Sequence, residues 1–230
     1  MKAMALLVSC EHGGNRVPAR YRALFAPHAD LLNSHRGYDP GALRMARYLA
    51  RAWSAPLHAS ETTRLLVELN RSIGHPRLFS DVTRSLPTSE RQKILDSYYR
   101  PYREAVEQEI ASTLRADGKL LHISVHTFTP VLDGKERTAD IGLLYDPVRA
   151  GERQLAAAWA QALRRVDPSL RVRKNYPYLG KADGFTTFLR RRFPRGYCGI
   201  ELEINQALAT GPDWRSLSES IARTLPAVSG

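Results

Sequence analysis

Three predicted strands end in side chains that can bind a metal or move a proton. In "LVSCEHGGNRVP" an apolar run leads into Glu11, His12 and two glycines. "LLHISVHTF" ends in His126, with His122 further back inside the run. "YCGIELEIN" ends with Glu201 and Glu203. Alternation puts these two glutamates on one side of the strand, with Glu203 nearer its end. A further carboxylate, Asp39 in "HRGYDPGA", opens a predicted helix. A catalytic zinc is commonly held by imidazoles and a carboxylate, with one position left for water. His12, Asp39 and His126 would supply such a set. A zinc site lowers the pKa of its water towards about 7. A nearby carboxylate outside the metal shell can then take the water proton and pass it to a leaving amine. Glu203 suits that role.

Each residue also has a simpler reading. Asp39 suits a helix start with no metal at all. His122 lies within its strand, where a hydrogen-bonded core histidine is expected. His35 sits in a polar loop and reads as solvated. Glu201 is open to pairing with an arginine. The shared strand-end placement of His12, His126 and Glu203 is harder to assign to packing alone.

These side chains need strands to deliver them. Apolar runs ending in turn residues predict strands over 5–10, 56–59, 65–69, 120–125, 141–145 and 197–204, with 171–175 as a further one. Helical spacing covers 39–53, where Pro40 suits the first turn. It also covers 88–115, with Thr88 or Ser89 as cap and a kink or break expected at Pro101. Helices are further predicted over 152–166, 185–193 and 214–225. Strands alternating with helices indicate an α/β fold, a mixed sheet with helices on both faces. Such sheets bind ligands beyond the carboxyl ends of their strands. No repeat or linker divides the chain, so residues 1–230 read as a single domain.

Composition bounds the function. A chain of 230 residues buries a sizeable core without a disulfide or metal to hold it. The net charge of +11 favours acidic partners, whether nucleic acid, membrane surface or anionic small molecule. The basic residues are mostly scattered, apart from "RRRFPR". The two cysteines, Cys10 and Cys198, lie in or beside apolar runs, where a free thiol packs as a small hydrophobe. No signal peptide pattern is visible. No stretch approaches the roughly 18 apolar residues of a membrane span. A soluble, cytoplasmic protein is expected.

The sequence resembles the N-formylglutamate amidohydrolase family. The likeness lies in "SCEHGGNRVP", "HRGYDPGA", "TTRLLVELNRS", "HISVHTFTP", "DIGLLYD", "NYPYLGKADGFT" and "GIELEINQ", which run in order over nearly the whole chain. Each piece is modest alone; together they are specific. The resemblance implies a metal-dependent amide hydrolase that removes formate from N-formyl-L-glutamate in histidine breakdown. It implies a zinc-carboxypeptidase-like (phosphorylase/hydrolase-like) fold, shared with zinc-dependent cell-wall amidases. In those relatives a strand-end histidine, an acidic residue and the histidine of an "SxH" strand end bind zinc. A glutamate on a late strand is the base. The pattern maps onto His12, Asp39, His126 and Glu203. The relatives usually have glutamate where Asp39 stands, so Glu11 and His35 remain alternatives to it. Gly13 and Gly14 would let the backbone pass closely around the metal, and Glu11 would orient a ligand.

N-formylglutamate carries carboxylates, which arginine grips through paired hydrogen bonds. "NRS" follows the strand-like "LLVEL", which places Asn70 and Arg71 at a predicted strand end. Carboxypeptidase-like enzymes use an Asn-Arg pair for a substrate carboxylate, and the resemblance carries that role here. Arg64 is a second candidate. A salt bridge to a nearby acid is the alternative for either arginine. Asp183 would wall a pocket or cap the helix that follows it. The expected function is zinc-dependent hydrolysis of a small anionic N-acyl amino acid. A zinc peptidase or another N-acyl amino acid amidase is the alternative enzyme. A basic nucleic-acid-binding protein is the alternative of another class, but the chain has no helix-turn-helix, zinc finger or RNP-like motif. Neither nucleic acid nor membrane is expected as a partner.

Overall fold

Side chains alternate across a strand, so a strand buried on both sides offers two surfaces that need not be alike. The stretch Leu120–Phe128 is buried at every residue. Its odd partners Leu121, Ile123 and Val125 join one apolar cluster. On the other side stand Leu120, His122, Ser124 and His126, apolar at the start and polar towards the carboxyl end. The flanking strands repeat this gradient, and the fold is built around it.

The computed structural model describes residues 4–226. The elements begin with β1 (Ala5–Cys10), two short helices α1 (Arg22–Phe25) and α2 (Ala29–Leu32), α3 (Ala42–Ala52) and β2 (Leu57–Ala59). Next come α4 (Thr88–Ile94), α5 (Arg100–Asp117), β3 (Leu120–Phe128) and the hairpin β4 (Val131–Leu132) and β5 (Lys135–Glu136). The chain continues through β6 (Ile141–Leu144), α6 (Ala150–Val166), β7 (Val172–Lys174), α7 (Phe185–Arg192), β8 (Tyr197–Asn205), α8 (Gln206–Thr210) and α9 (Trp214–Thr224).

The main sheet has strand order β2-β1-β3-β8-β6-β7. The first four strands run parallel, and β6 pairs antiparallel with β8. This is a mixed α/β sheet covered by helices on both faces, as the sequence indicated. On one face Val8, Leu121, Ile123, Ile200 and Leu202 pack against Met45 and Leu49 of α3, Trp159 and Leu163 of α6 and Ile221 of α9. On the other, Leu7, Leu120 and Tyr197 pack against Val106 and Ile110 of α5 and Phe185 and Leu189 of α7.

The structure corrects the sequence reading at several elements. Residues 65–69 form turns and irregular backbone, not a strand. Their apolar side chains, Leu65, Leu66, Val67 and Leu69, fill a separate cluster with Tyr21, Phe25, Ile94 and Tyr99. The density of apolar residues reflects that satellite core, so Asn70 and Arg71 follow a turn and not a strand. The helix predicted over 88–115 is continuous, but Leu95–Tyr99 form a π-helical turn just before Pro101. The wider turn relieves the clash between the proline ring and the preceding carbonyls. Neither Thr88 nor Ser89 caps it; Pro87 stands at that position with no side-chain cap bond. Pro40 lies outside α3, which starts after Gly41.

Candidate active site and metal centre

At the carboxyl ends of β1 and β3 the polar face of the sheet opens onto three converging side chains. Ligand atoms of His12, Asp39 and His126 all lie within 4.8 Å of one another, and the three residues are buried. The strands account for the two histidines. Asp39 is fixed by its own backbone, whose N–H donates to His12 O at 2.9 Å. Its Oδ2 lies 3.3 Å from His12 Nδ1 and 3.0 Å from His126 Nδ1. Asp39 therefore does not cap α3; its carboxylate faces the histidines.

Both imidazoles turn Nδ1 to the shared point and Nε2 to a carboxylate behind. His12 Nε2 bonds Glu68 Oε1. His126 Nε2 stands 3.1 Å from Glu11 Oε2, which also accepts from Ser124 Oγ at 2.6 Å. Tyr102 donates to the other Glu11 oxygen at 3.0 Å. A carboxylate on the outer nitrogen fixes an imidazole's tautomer and orientation, leaving Nδ1 as a lone-pair donor.

The electrostatics follow from this packing. Burial disfavours charge on Glu11, but His126 and Ser124 outweigh it and hold the carboxyl well below its usual range. Burial likewise opposes charge on Glu68, which Arg64 and His12 hold low. Burial would drive protons off His126, yet Asp39 and Glu11 raise its pKa. The field that draws a proton between these groups would equally draw a metal cation. The donor set of two imidazoles and one carboxylate fits such an ion.

Glu203 sits beside this cluster. In the β3–β8 register it is the direct partner of His126. Its Oε2 is buried and has no hydrogen-bond partner among the described residues. Burial, helped by Asp39 and Glu201, pushes its pKa up to about 7 against the pull of His126 and His12. A carboxylate poised near neutrality with an unsatisfied oxygen can both accept and return a proton. Glu201 accepts from the Thr186 hydroxyl and forms no salt bridge to an arginine among the described residues.

The other candidates are placed as follows. Glu11 lies behind His126, and His35 is exposed in a turn and is not among the converging ligand residues. Arg64 is committed to acids, with NH1 3.1 Å from Asp39 Oδ1 and Nε 2.7 Å from Glu68 Oε2. Asn70 Oδ1 accepts from Phe185 N at 2.6 Å and so caps α7 from outside. Arg71 NH1 donates to Asp183 O, and the Asp183 carboxylate accepts from Ser72 Oγ at 2.6 Å. The "NRS" turn and the "KADGF" loop thus form one braced unit. Gly13 and Gly14 make room for a neighbouring segment. A Cβ on Gly13 would sit 2.9 Å from Ser60 O, and one on Gly14 2.7 Å from Glu61 O.

Glu68 escaped the sequence reading. The signal was a lone carboxylate inside "LLVEL", since a charge buried among apolar residues needs a partner.

The family model for N-formylglutamate amidohydrolase matches residues 4–210. The chain belongs to the N-formylglutamate amidohydrolase family. It is therefore an enzyme that hydrolyses amides, and its family implies a small amino-acid substrate. A gene product of Agrobacterium tumefaciens superposes with a TM-score of 0.81 at 28% identity, over 96% of this chain and 90% of that one. The N-formylglutamate amidohydrolase of Ralstonia eutropha JMP134 shares the fold, with a TM-score of 0.70 at 18% identity over 97% and 93% of the two chains. No curated protein matches this chain in sequence. No helix among the described residues is long and apolar enough to cross a membrane.

Proposed function

We propose that this amidohydrolase removes the acyl group from N-formyl-L-glutamate or a related anionic N-acyl amino acid, with zinc held by His12, Asp39 and His126. The observation that carries the reading is the convergence of three ligand atoms within 4.8 Å beside the partnerless Oε2 of Glu203. Zinc, when bound there, supplies a Lewis acid for the amide carbonyl and makes a water acidic. Glu203 takes a proton from the water that adds to the acyl carbon. It then passes that proton to the amine nitrogen as the C–N bond breaks, releasing the free carboxylic acid and the amino acid. Glu68 and Glu11 hold the outer nitrogens of the histidines so that Nδ1 stays aimed at the metal. Arg71, on the braced turn, receives the substrate carboxylate. Asn70 holds the turn through Phe185 N, and Arg64 keeps Asp39 and Glu68 ionised and in place. The free cysteines Cys10 and Cys198 fit a reducing compartment, and the reading places the enzyme in the cytoplasm.

The test is release of free amine from a panel of N-formyl and N-acetyl amino acids, with metal content measured on the same sample. Stoichiometric zinc and preference for anionic N-formyl substrates support the reading. A zinc-loaded protein that cleaves none of them removes the substrate class. The role of Arg71 has its own check. Losing a hydrogen bond to a charged group costs about 1.5–3 kcal/mol, or roughly 10- to 150-fold in kcat/KM. Arg71→Ala is expected to lose this on a free-carboxylate substrate and little on its carboxamide. An equal loss on both assigns Arg71 to bracing the turn alone.

A further inference from the structure

Helix α3 buries Ala42, Met45, Ala46 and Leu49 against the sheet. Its outer side presents Arg44, Arg47, Tyr48 and Arg51. The first turn of α9 adds Trp214 and Arg215, and together they line a cleft of about 510 Å³. None of its lining residues belongs to the His12, Asp39 and His126 cluster. The cleft lies outside the helical layer on the apolar face of the sheet, whereas that cluster lies on the polar face.

The cleft is built, not merely basic. Arg44 donates through Nε to Ala209 O at 2.8 Å and lies over the Trp214 ring, 4.7 Å from its centroid. Tyr48 meets Trp214 edge to face at 6.4 Å between ring centroids. Arg215 lies 5.6 Å from the centroid of the same ring. Arg47 pairs with Glu61 at 2.8 Å. Arg51 and Arg215 have no acidic partner among the described residues, and no acid lines the cleft. Like charges this close repel, so a surface that only needed solubility would intersperse acids among them. Four guanidiniums around an apolar floor suit an anion with several charges and an organic body. The volume suits a ligand of nucleotide size.

We propose that this cleft binds a phosphorylated small molecule, its phosphoryl groups on Arg51 and Arg215 and its organic part against Tyr48, Ala52 and Trp214. The proposal does not depend on the metal or substrate assigned above. Trp214 is a built-in reporter, since Trp159 is fully buried and Trp53 is in its own packed pair with Trp159.

The experiment titrates ADP, pyrophosphate, adenosine and a single-stranded oligonucleotide into the full chain, followed by tryptophan emission and calorimetry. ADP is expected to bind once per chain and change the emission, with pyrophosphate weaker and adenosine silent. Trp214→Phe should remove the optical signal. Arg51→Ala and Arg215→Ala should each weaken ADP about tenfold, and the double variant should abolish binding. Amide hydrolysis measured without ADP should be unchanged in both single variants, which also shows that they fold. ADP binding that survives in the double variant overturns the proposal, as does no response to ADP or pyrophosphate. Oligonucleotide binding far tighter than ADP, with a steep salt dependence, would make the surface a nucleic-acid site and also overturn it.

Discussion

At each histidine of the candidate centre, the nitrogen facing Asp39 would meet the metal and the other rests on a glutamate. This pairing sets the expected order of mutational effects. His12→Ala or His126→Ala should empty the site; full metal occupancy in both variants would remove the assignment. Glu68→Ala should weaken metal binding about 10- to 100-fold without emptying it, read by competition with a chelating dye. Glu203→Gln should leave metal bound and lower turnover about 100- to 10,000-fold. A folded, metal-loaded Glu203→Gln enzyme of near-normal rate would exclude Glu203 as the base. Much of this was legible in the sequence, because an imidazole or carboxylate at the end of an apolar strand points beyond the sheet. Asp39 was legible only as one of several options. Its position depends on a backbone bond to His12 O, which no local pattern encodes. Glu68 was hidden because its partner His12, 56 residues away in the chain, becomes a neighbour only through tertiary packing.

At the scale of strands and helices, the polar face of β1, β3 and β8 carries a buried ladder beneath the site. His122 Nδ1 is 2.8 Å from Tyr197 Oη, and Nε2 is 2.7 Å from Ser9 Oγ. Burial pushes the His122 pKa from 6.5 down to about 4. Between those values only the unfolded chain takes up the proton, so acid favours unfolding. The contribution is complete above about pH 6.5 and is lost as pH falls through about 4, at most about 3 kcal/mol. Urea unfolding of wild type and His122→Gln from about pH 7 to about pH 4.5 should show the wild type losing more stability. Parallel pH profiles would remove His122 from the acid response. Glycine supplies a second check. A Cβ on Gly142 of β6 would run into Tyr176 O and reach within 3.2 Å of the Glu203 Cβ. Gly142→Ala should cost about 1–3 kcal/mol and disturb turnover through Glu203. An unchanged melting temperature and rate would mean that the Tyr176 loop yields freely. Strand positions were readable from apolar runs that end in turn residues. The "LLVEL" turn was not, because a satellite core asks for the same apolar residues as a strand.

Across the whole molecule, the two faces of the sheet divide the work: one is apolar and supports, the other turns polar towards the carboxyl ends of the strands and holds the site. Trp159 anchors the supporting side, fully buried and bonded to Thr224 Oγ1 at 3.3 Å. Trp159→Ala should cost about 3–5 kcal/mol, at about 2–4 °C of Tm per kcal/mol for a chain of this size. Calorimetry would measure it, and a shift of only a degree or two would mean that the cavity collapses. The strand order also bears on how the chain is made. β3 lies between β1 and β8, yet β8 is the last of the sheet's strands to leave the ribosome. Until it arrives, β3, buried at every residue, keeps one edge of open backbone groups beside the nascent core. Unpaired edges of this kind recruit other chains, so the interval before β8 emerges is when newly made copies are most exposed to aggregation and most in need of a chaperone.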